Sequence, residues 1–123
     1  SKEICRAADF CGVRSGCDLD KFEATGLTRE KASTVNVPLV KESPVNIECK
    51  VTQVLELGSH DMFLAKVTAV QVDESLLDEK GKLDLNKAHL VAYSHGEYQT
   101  FDNILGTFGY SVKKKDKKEK KKH

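Results

Sequence analysis

From Val45 the side chains alternate strictly between apolar and polar. Val45, Ile47, Cys49 and Val51 share one parity, and Asn46, Glu48, Lys50 and Thr52 share the other. A period of two predicts a strand with one face buried and one face wet. Gly58, Ser59, His60 and Asp61 interrupt the pattern, and a second β-rich run begins at Met62. The stretch Pro44 to Val72 therefore predicts a hairpin of two long strands, on which the rest of the chain packs. The second strand, Met62 to Val72, is apolar on both parities. Phe63, Ala65, Val67 and Ala69 lie on one side, and Met62, Leu64, Val70 and Val72 on the other. Such a strand is central, or its outer face meets another subunit.

Flanking elements are shorter. Ser1 to Phe10 carries a helical stripe of Ile4, Ala7, Ala8 and Cys11. Gly12 and Gly16 bracket a polar turn. Asp18 is positioned to cap a short helix that buries Leu19 and Phe22 and stops at Gly26. Thr28 predicts one further helical turn to Ala32, followed by an irregular approach, Ser33 to Glu42, that Pro38 and Pro44 keep extended. Asp73 to Asn86 is polar, with its turn at Glu79-Lys80-Gly81-Lys82. Leu90 to Tyr93 is a short strand, and His95-Gly96-Glu97-Tyr98 a turn. With no βαβ rhythm, the pattern predicts a mainly β fold: an antiparallel, barrel-like sheet with short N-terminal helices.

Composition changes this picture only locally. The 123 residues fit one domain, residues 1–112, and the net charge of +1 gives the body no nucleic-acid signature. Residues 113–123 form a lysine-rich run with no apolar residue to bury, which predicts a disordered tail. No apolar run reaches the roughly 18 residues that a membrane span needs, and the N-terminus reads as lacking a signal segment. Cys5, Cys11, Cys17 and Cys49 miss the short Cys-x-x-Cys spacing of zinc sites, and Cys49 falls on the parity expected to be buried. The expectation is reduced cysteines, no metal site and a cytoplasmic protein.

Two places carry candidate chemistry. Arg14, Ser15, Gly16 and Lys21 combine cations, a hydroxyl and a flexible backbone just before a helix N-terminus, which suits an anion. An ordinary inter-helix loop has the same composition, and no Walker or dinucleotide fingerprint decides between them. His60, in the hairpin turn, is placed to donate a hydrogen bond or to titrate near neutrality. Tyr93, Tyr98, Phe101, Phe108 and Tyr110 read as core or interface. His89 and His95 fall at no recognised metal spacing.

Four stretches resemble the flavin reductase-like, FMN-binding split-barrel family, especially its flavoredoxin-type members. Ala8 to Phe22, with Ser15-Gly16 and Asp20-Lys21-Phe22, resembles the "SG…DKF" segment. Glu56 to Val67 resembles the "G-D-H…G-x-V" hairpin, with Ser59 where aspartate is commoner and Ala65-Lys66 where Gly-Glu is usual. Leu90 to Tyr98 is similar to "Y-x-x-G-x-Y", and Leu105 to Ser111 to "LG-x-FG-[FY]-S". The resemblance implies a Greek-key split barrel, here partial, and a homodimer that binds FMN. It also implies passage of electrons from NAD(P)H to flavin or an acceptor. By that resemblance Arg14, Ser15, Gly16 and Lys21 lie near the cofactor, and His60 lies on the flavin and nicotinamide side. The family's strands that precede the first helix have no counterpart in this sequence. The resemblance therefore leaves three outcomes: dimerisation or a separate chain supplies those strands, or the chain is a non-catalytic structural or interaction protein of the same fold.

Overall fold

A computed structural model describes residues 1–101 and 103–113 of the chain; the expectation of a disordered tail falls, apart from Lys113, outside the described residues. A single 3₁₀ turn, Lys2–Ile4, runs into helix α1, Cys5–Val13. Gly12 therefore belongs to the helix and not to the turn after it. Helix α2 spans Lys21–Thr25. Its N-cap is Asp20, not Asp18: the Asp20 carboxylate accepts from the N–H groups of Phe22 (2.9 Å) and Glu23 (3.2 Å). Gly26 closes α2 with φ of 71°, a conformation that glycine adopts without steric cost.

The helical turn expected after Thr28 is absent. Arg29–Glu30 instead forms strand β1, paired antiparallel with β2, Leu39–Val40. The dominant element is the hairpin of β3, Val45–Glu56, and β4, Asp61–Val72. Strands β5, Val91–Ser94, and β6, Glu97–Thr100, make a second hairpin. Its turn residues His95 and Gly96 have φ of 52° and 83°, the left-handed pair that a two-residue hairpin loop requires. Tyr98, expected in the turn, is a strand residue opposite Tyr93. The described strands make three two-stranded antiparallel sheets, so the fold mixes short helices with sheets that do not close into a barrel.

Register in the long hairpin turns on two threonines. Glu48 pairs with Ala69, but Cys49 pairs with Val67, so Thr68 is an extra residue in β4; Val51 pairs with Ala65 and Gln53 with Leu64, so Thr52 is an extra residue in β3. A bulge leaves backbone groups without their ladder partners. Here the hydroxyls take over, Thr68 donating to the Glu48 carbonyl (3.2 Å) and Thr52 to the Leu64 carbonyl (3.1 Å). Each bulge switches the parity of its strand. Phe63, Ala65 and Val67 thereby join Val70 and Val72, while Ala69 moves to the opposite face. This corrects the uninterrupted alternation expected for β4. The result is one continuous apolar face: Val45, Ile47, Cys49, Val51 and Val54 on β3, with those five residues of β4.

That apolar face is not the covered one. Cys49 is exposed, as are Ile47 and Val51, and the most buried side chain on the hairpin is Glu48, 2% exposed. Residues 31–40 cross the polar face because that face offers hydrogen bonds. Glu48 accepts from Ser33 N–H (2.9 Å), Ser33 Oγ (2.7 Å), Thr34 N–H (2.7 Å), Thr34 Oγ1 (3.0 Å) and Gln71 Nε2 (2.9 Å). Asn46 adds two bonds to the backbone of Val40, each 3.1 Å. A buried carboxylate is tolerated only when its oxygens are satisfied in this way. Among the described residues the buried apolar side chains are Ala32, Leu39, Leu76 and Ala88, a small core for a chain of this length.

Donation from Gln71, Ser33 and Thr34 holds the Glu48 carboxyl well below its ordinary value of 4.5. A depressed carboxyl stabilises the fold above its unfolded pKa and loses that stabilisation as pH falls towards the folded one. Thermal unfolding between pH 7 and 3 checks this: stability is constant at the upper end and declines below about pH 4.5. Glu48→Gln is expected to lower the melting temperature at pH 7 and to flatten the acid limb. Leu76→Ala, which empties a buried apolar site in the 3₁₀ turn Glu74–Leu76, is expected to cost about 2–5 kcal/mol in chemical denaturation at neutral pH.

Candidate functional site

The loop between α1 and α2, together with the first residue of α2, carries four of the five residues singled out by sequence. Arg14 follows the last turn of α1, its N–H donating to the Phe10 carbonyl at 3.1 Å and its side chain exposed. Ser15 makes the turn: its Oγ accepts from Cys17 N–H at 3.2 Å and its carbonyl from Asp18 N–H at 3.3 Å. Lys21 reaches back across the loop and donates to the Cys11 carbonyl at 2.6 Å, its Cε at 3.8 Å from the position a Cβ on Gly16 would occupy. An ammonium group at the C-terminal end of α1 meets unpaired carbonyls and the negative end of the helix dipole, so this placement is favourable on two counts. Gly16 has no positive φ, and an added Cβ would make only ordinary contact; it exposes backbone, but Ser15 shapes the turn.

The expected anion site at the start of α2 is not open. Asp20 occupies the N–H groups of Phe22 and Glu23, and Arg29 bonds the other carboxylate oxygen. The Arg29 guanidinium, followed by the helix N–H groups, holds the Asp20 carboxyl below its usual range. Arg29 also lies over the Phe22 ring, 4.5 Å from its centroid. Sequence reasoning missed Arg29 because it is nine residues from Asp20, and only the β1–β2 pairing brings it back. With Asp20 neutralised by Arg29, the charges left around the loop are the two cations Arg14 and Lys21 and the carboxylate of Asp18.

His60 sits in the loop of the β3–β4 hairpin. Its carbonyl accepts from Leu57 N–H at 3.0 Å, and its Nδ1 lies 3.0 Å from Ser59 Oγ. Ser59, which stands where aspartate is commoner, orients the ring without adding charge. Among the described residues no hydrogen bond joins His60 to residues 14–21, so the structure leaves loop and histidine as separate features.

A cavity of about 910 Å³ lies elsewhere, among the 3₁₀ turns and Phe101, with Lys2, Glu3 and His89 on its wall. His89 is left-handed (φ 46°), and its Nδ1 lies 2.9 Å from Glu3 Oε1. That contact lowers the Glu3 carboxyl to about 2. Nearby, Tyr98 donates to Asp9 at 3.0 Å and packs on Tyr93 with ring centroids 5.1 Å apart, so the aromatic pair ties β6 to α1. Tyr98's hydroxyl is raised above its ordinary value, chiefly by that bond to Asp9. Phe101, Phe108 and Tyr110 are exposed and form no core in this chain.

The mixed helix–sheet fold, with its long bulged hairpin, matches known proteins along most of its length. Residues 1–102 match the family of flavin reductase like domains. The chain belongs to that family. A curated relative from Pyrococcus abyssi (strain GE5 / Orsay) is 33% identical over 105 residues, 85% of this chain and 59% of that protein. Among solved structures, the flavoredoxin of Desulfovibrio vulgaris (Miyazaki F) superposes with a TM-score of 0.81 and 34% identity, over 92% of this chain and 61% of its own. A putative flavin reductase with split barrel domain from Shewanella frigidimarina NCIMB 400 gives 0.71 and 28%, over 86% and 55%. The chain thus spans just over half to three fifths of the length of these relatives.

Asp20→Asn keeps the side-chain shape but removes the charge that both the α2 cap and Arg29 use. Amide exchange at Phe22 and Glu23 is expected to quicken, with the rest of the chain unchanged. In the unsubstituted chain the same two amides are expected to lose protection only as acid protonates Asp20, below the ordinary carboxylate range.

Proposed function

We propose that this chain is an FMN-binding, flavin reductase-like or flavoredoxin-like protein that passes electrons from NAD(P)H to flavin or onward to an acceptor. The observation that carries the reading is the loop from Arg14 to Lys21. It carries the Arg14 guanidinium, the Ser15 hydroxyl and the Gly16 backbone ahead of the Lys21 ammonium group, and of its two carboxylates, Asp18 and Asp20, the second is paired with Arg29. This donor set fits the phosphate end of FMN. Arg14 would pair with a phosphate oxygen through its fork, and Ser15 would turn its O–H towards the ligand while still accepting from Cys17. Lys21, held at the end of α1, has two further N–H bonds to give. When bound, FMN supplies a ring that accepts hydride from a reduced nicotinamide. His60, on the hairpin loop, would hydrogen-bond at the nicotinamide side, oriented by Ser59. The reading includes a homodimer in the cytoplasm and a partial split barrel of Greek-key type. A non-catalytic structural or interaction role is the second reading, favoured by the open apolar face of the hairpin.

The test is the absorbance spectrum of the purified chain after incubation with FMN and gel filtration. Retained flavin is expected, and a colourless protein would sink the flavoprotein reading for this chain by itself. Arg14→Ala and Lys21→Ala are each expected to weaken FMN binding roughly tenfold, the scale of one charged hydrogen bond, with the circular dichroism spectrum unchanged. His60→Ala is expected to leave FMN affinity within about twofold while slowing NADH-driven bleaching, because it acts on positioning and not on the phosphate.

A further inference from the structure

The cap of α2 works against an anion in the loop before it. Asp20 holds the N–H groups of Phe22 and Glu23, and it is the residue immediately before Lys21. A bare carboxylate there repels an incoming phosphate. Between residues 14 and 21 the cations Arg14 and Lys21 are matched by the carboxylates Asp18 and Asp20, so the segment has no net charge. Arg29 changes that sum. Its guanidinium bonds Asp20, which leaves three cations against two carboxylates and one net positive charge for the phosphate to meet.

The geometry lets Asp20 cap and be masked at once. Its Oδ1 accepts both helix N–H groups, while its Oδ2 takes Arg29, so the two tasks use different oxygens. Arg29 is delivered by tertiary structure. Its backbone pairs with Val40, and the Thr28 N–H before it donates to both oxygens of Glu42, each at 3.0 Å. The Thr28 carbonyl accepts from Lys41 N–H, also at 3.0 Å. Glu42 is thus occupied by backbone, and among the described residues Arg29 forms an ion pair with Asp20 and with no other carboxylate. The Phe22 ring, 4.5 Å from the guanidinium carbon, holds the fork from its other side. Phe22 therefore serves the same pair from within α2.

We propose that Arg29 is a positioning residue for the anion loop, acting through Asp20 and not by touching the ligand. By masking the capping carboxylate it sets the sign of the loop, so that the dianionic end of a phosphate monoester is attracted to Arg14 and Lys21. The inference rests on the proposed function in placing a phosphate at this loop. Lysine in place of Arg29 would keep the charge but lose the planar fork that meets Asp20 and stacks on Phe22.

The experiment titrates inorganic phosphate into the full chain, flavin-free, and follows the backbone amides of residues 14–21 by NMR. Saturable shifts of these amides are expected in the unsubstituted chain. Arg29→Gln is expected to weaken phosphate binding roughly fivefold, the effect of one unmasked charge at partly screened range. Arg29→Lys is expected to lose less. Asp20→Asn combined with Arg29→Gln is expected to recover the original affinity, because asparagine still caps a helix but brings no charge to mask. The loss in Arg29→Gln is also expected to shrink at about 1 M salt, which a loss of local fold would not do. Phosphate binding that ignores Arg29→Gln overturns the proposal. A double variant that fails to recover also overturns it, since Arg29 would then be a ligand or a structural support. So does an unsubstituted loop that does not respond to phosphate. FMN retention is measured separately. Phosphate binding that follows the expected pattern without flavin retention counts against the proposed function alone. Flavin retention that is indifferent to Arg29→Gln counts against this role of Arg29 alone.

Discussion

One carboxylate organises this chain. Glu48 lies on the polar face of the longest hairpin and accepts five hydrogen bonds, two from Ser33, two from Thr34 and one from Gln71. It therefore joins a loop that is 14 to 15 residues away to a strand that is 23 residues away. With so few buried apolar side chains, this polar clamp is the main tie between residues 31–40 and the sheet. An unsatisfied carboxylate in that position would oppose folding, whereas a fully satisfied one dictates a single path for the covering loop. Burial on this side follows hydrogen bonding, and the hydrophobic face is left exposed.

The two bulges serve the same division of faces. If β3 and β4 paired without interruption, Val67 and Phe63 would fall opposite to Val70, and charge would be mixed into both faces. An extra threonine in each strand restores a single apolar face, and the threonine hydroxyls satisfy carbonyls at the irregular points. Threonine suits this position because its β-branched body favours the strand while its hydroxyl reaches the neighbouring backbone.

Around the candidate site, electrostatics is arranged by pairing and not by accumulation. Asp20 caps α2 and is neutralised by Arg29, and Lys21 is held by the end of α1. Arg14 and Lys21 are left as the positive groups of the loop. The same logic recurs at the chain's beginning, where Glu3 and His89 fasten the first turn to the 3₁₀ segment Leu85–Ala88. Each pair is partly exposed and contributes modestly, so positioning and not bulk stability is what these contacts supply.

Sequence alone determined the local elements whose causes are local. Alternation from Val45 defined the long hairpin, Gly26 ended α2, and His95-Gly96 made a turn, because period, glycine freedom and turn chemistry act over a few residues. The motifs around Ser15-Gly16 and His60 were equally legible and led to the family. Tertiary structure decided what depends on distant partners. Asp20 outcompeted Asp18 as cap because Arg29 is brought to it by β1–β2 pairing. Thr28 did not begin a helix because Arg29 and Glu30 found strand partners in Val40 and Leu39. The strand's polar face became the covered one because Ser33, Thr34 and Gln71 converge on Glu48, a meeting of three segments that no periodicity in β3 can announce.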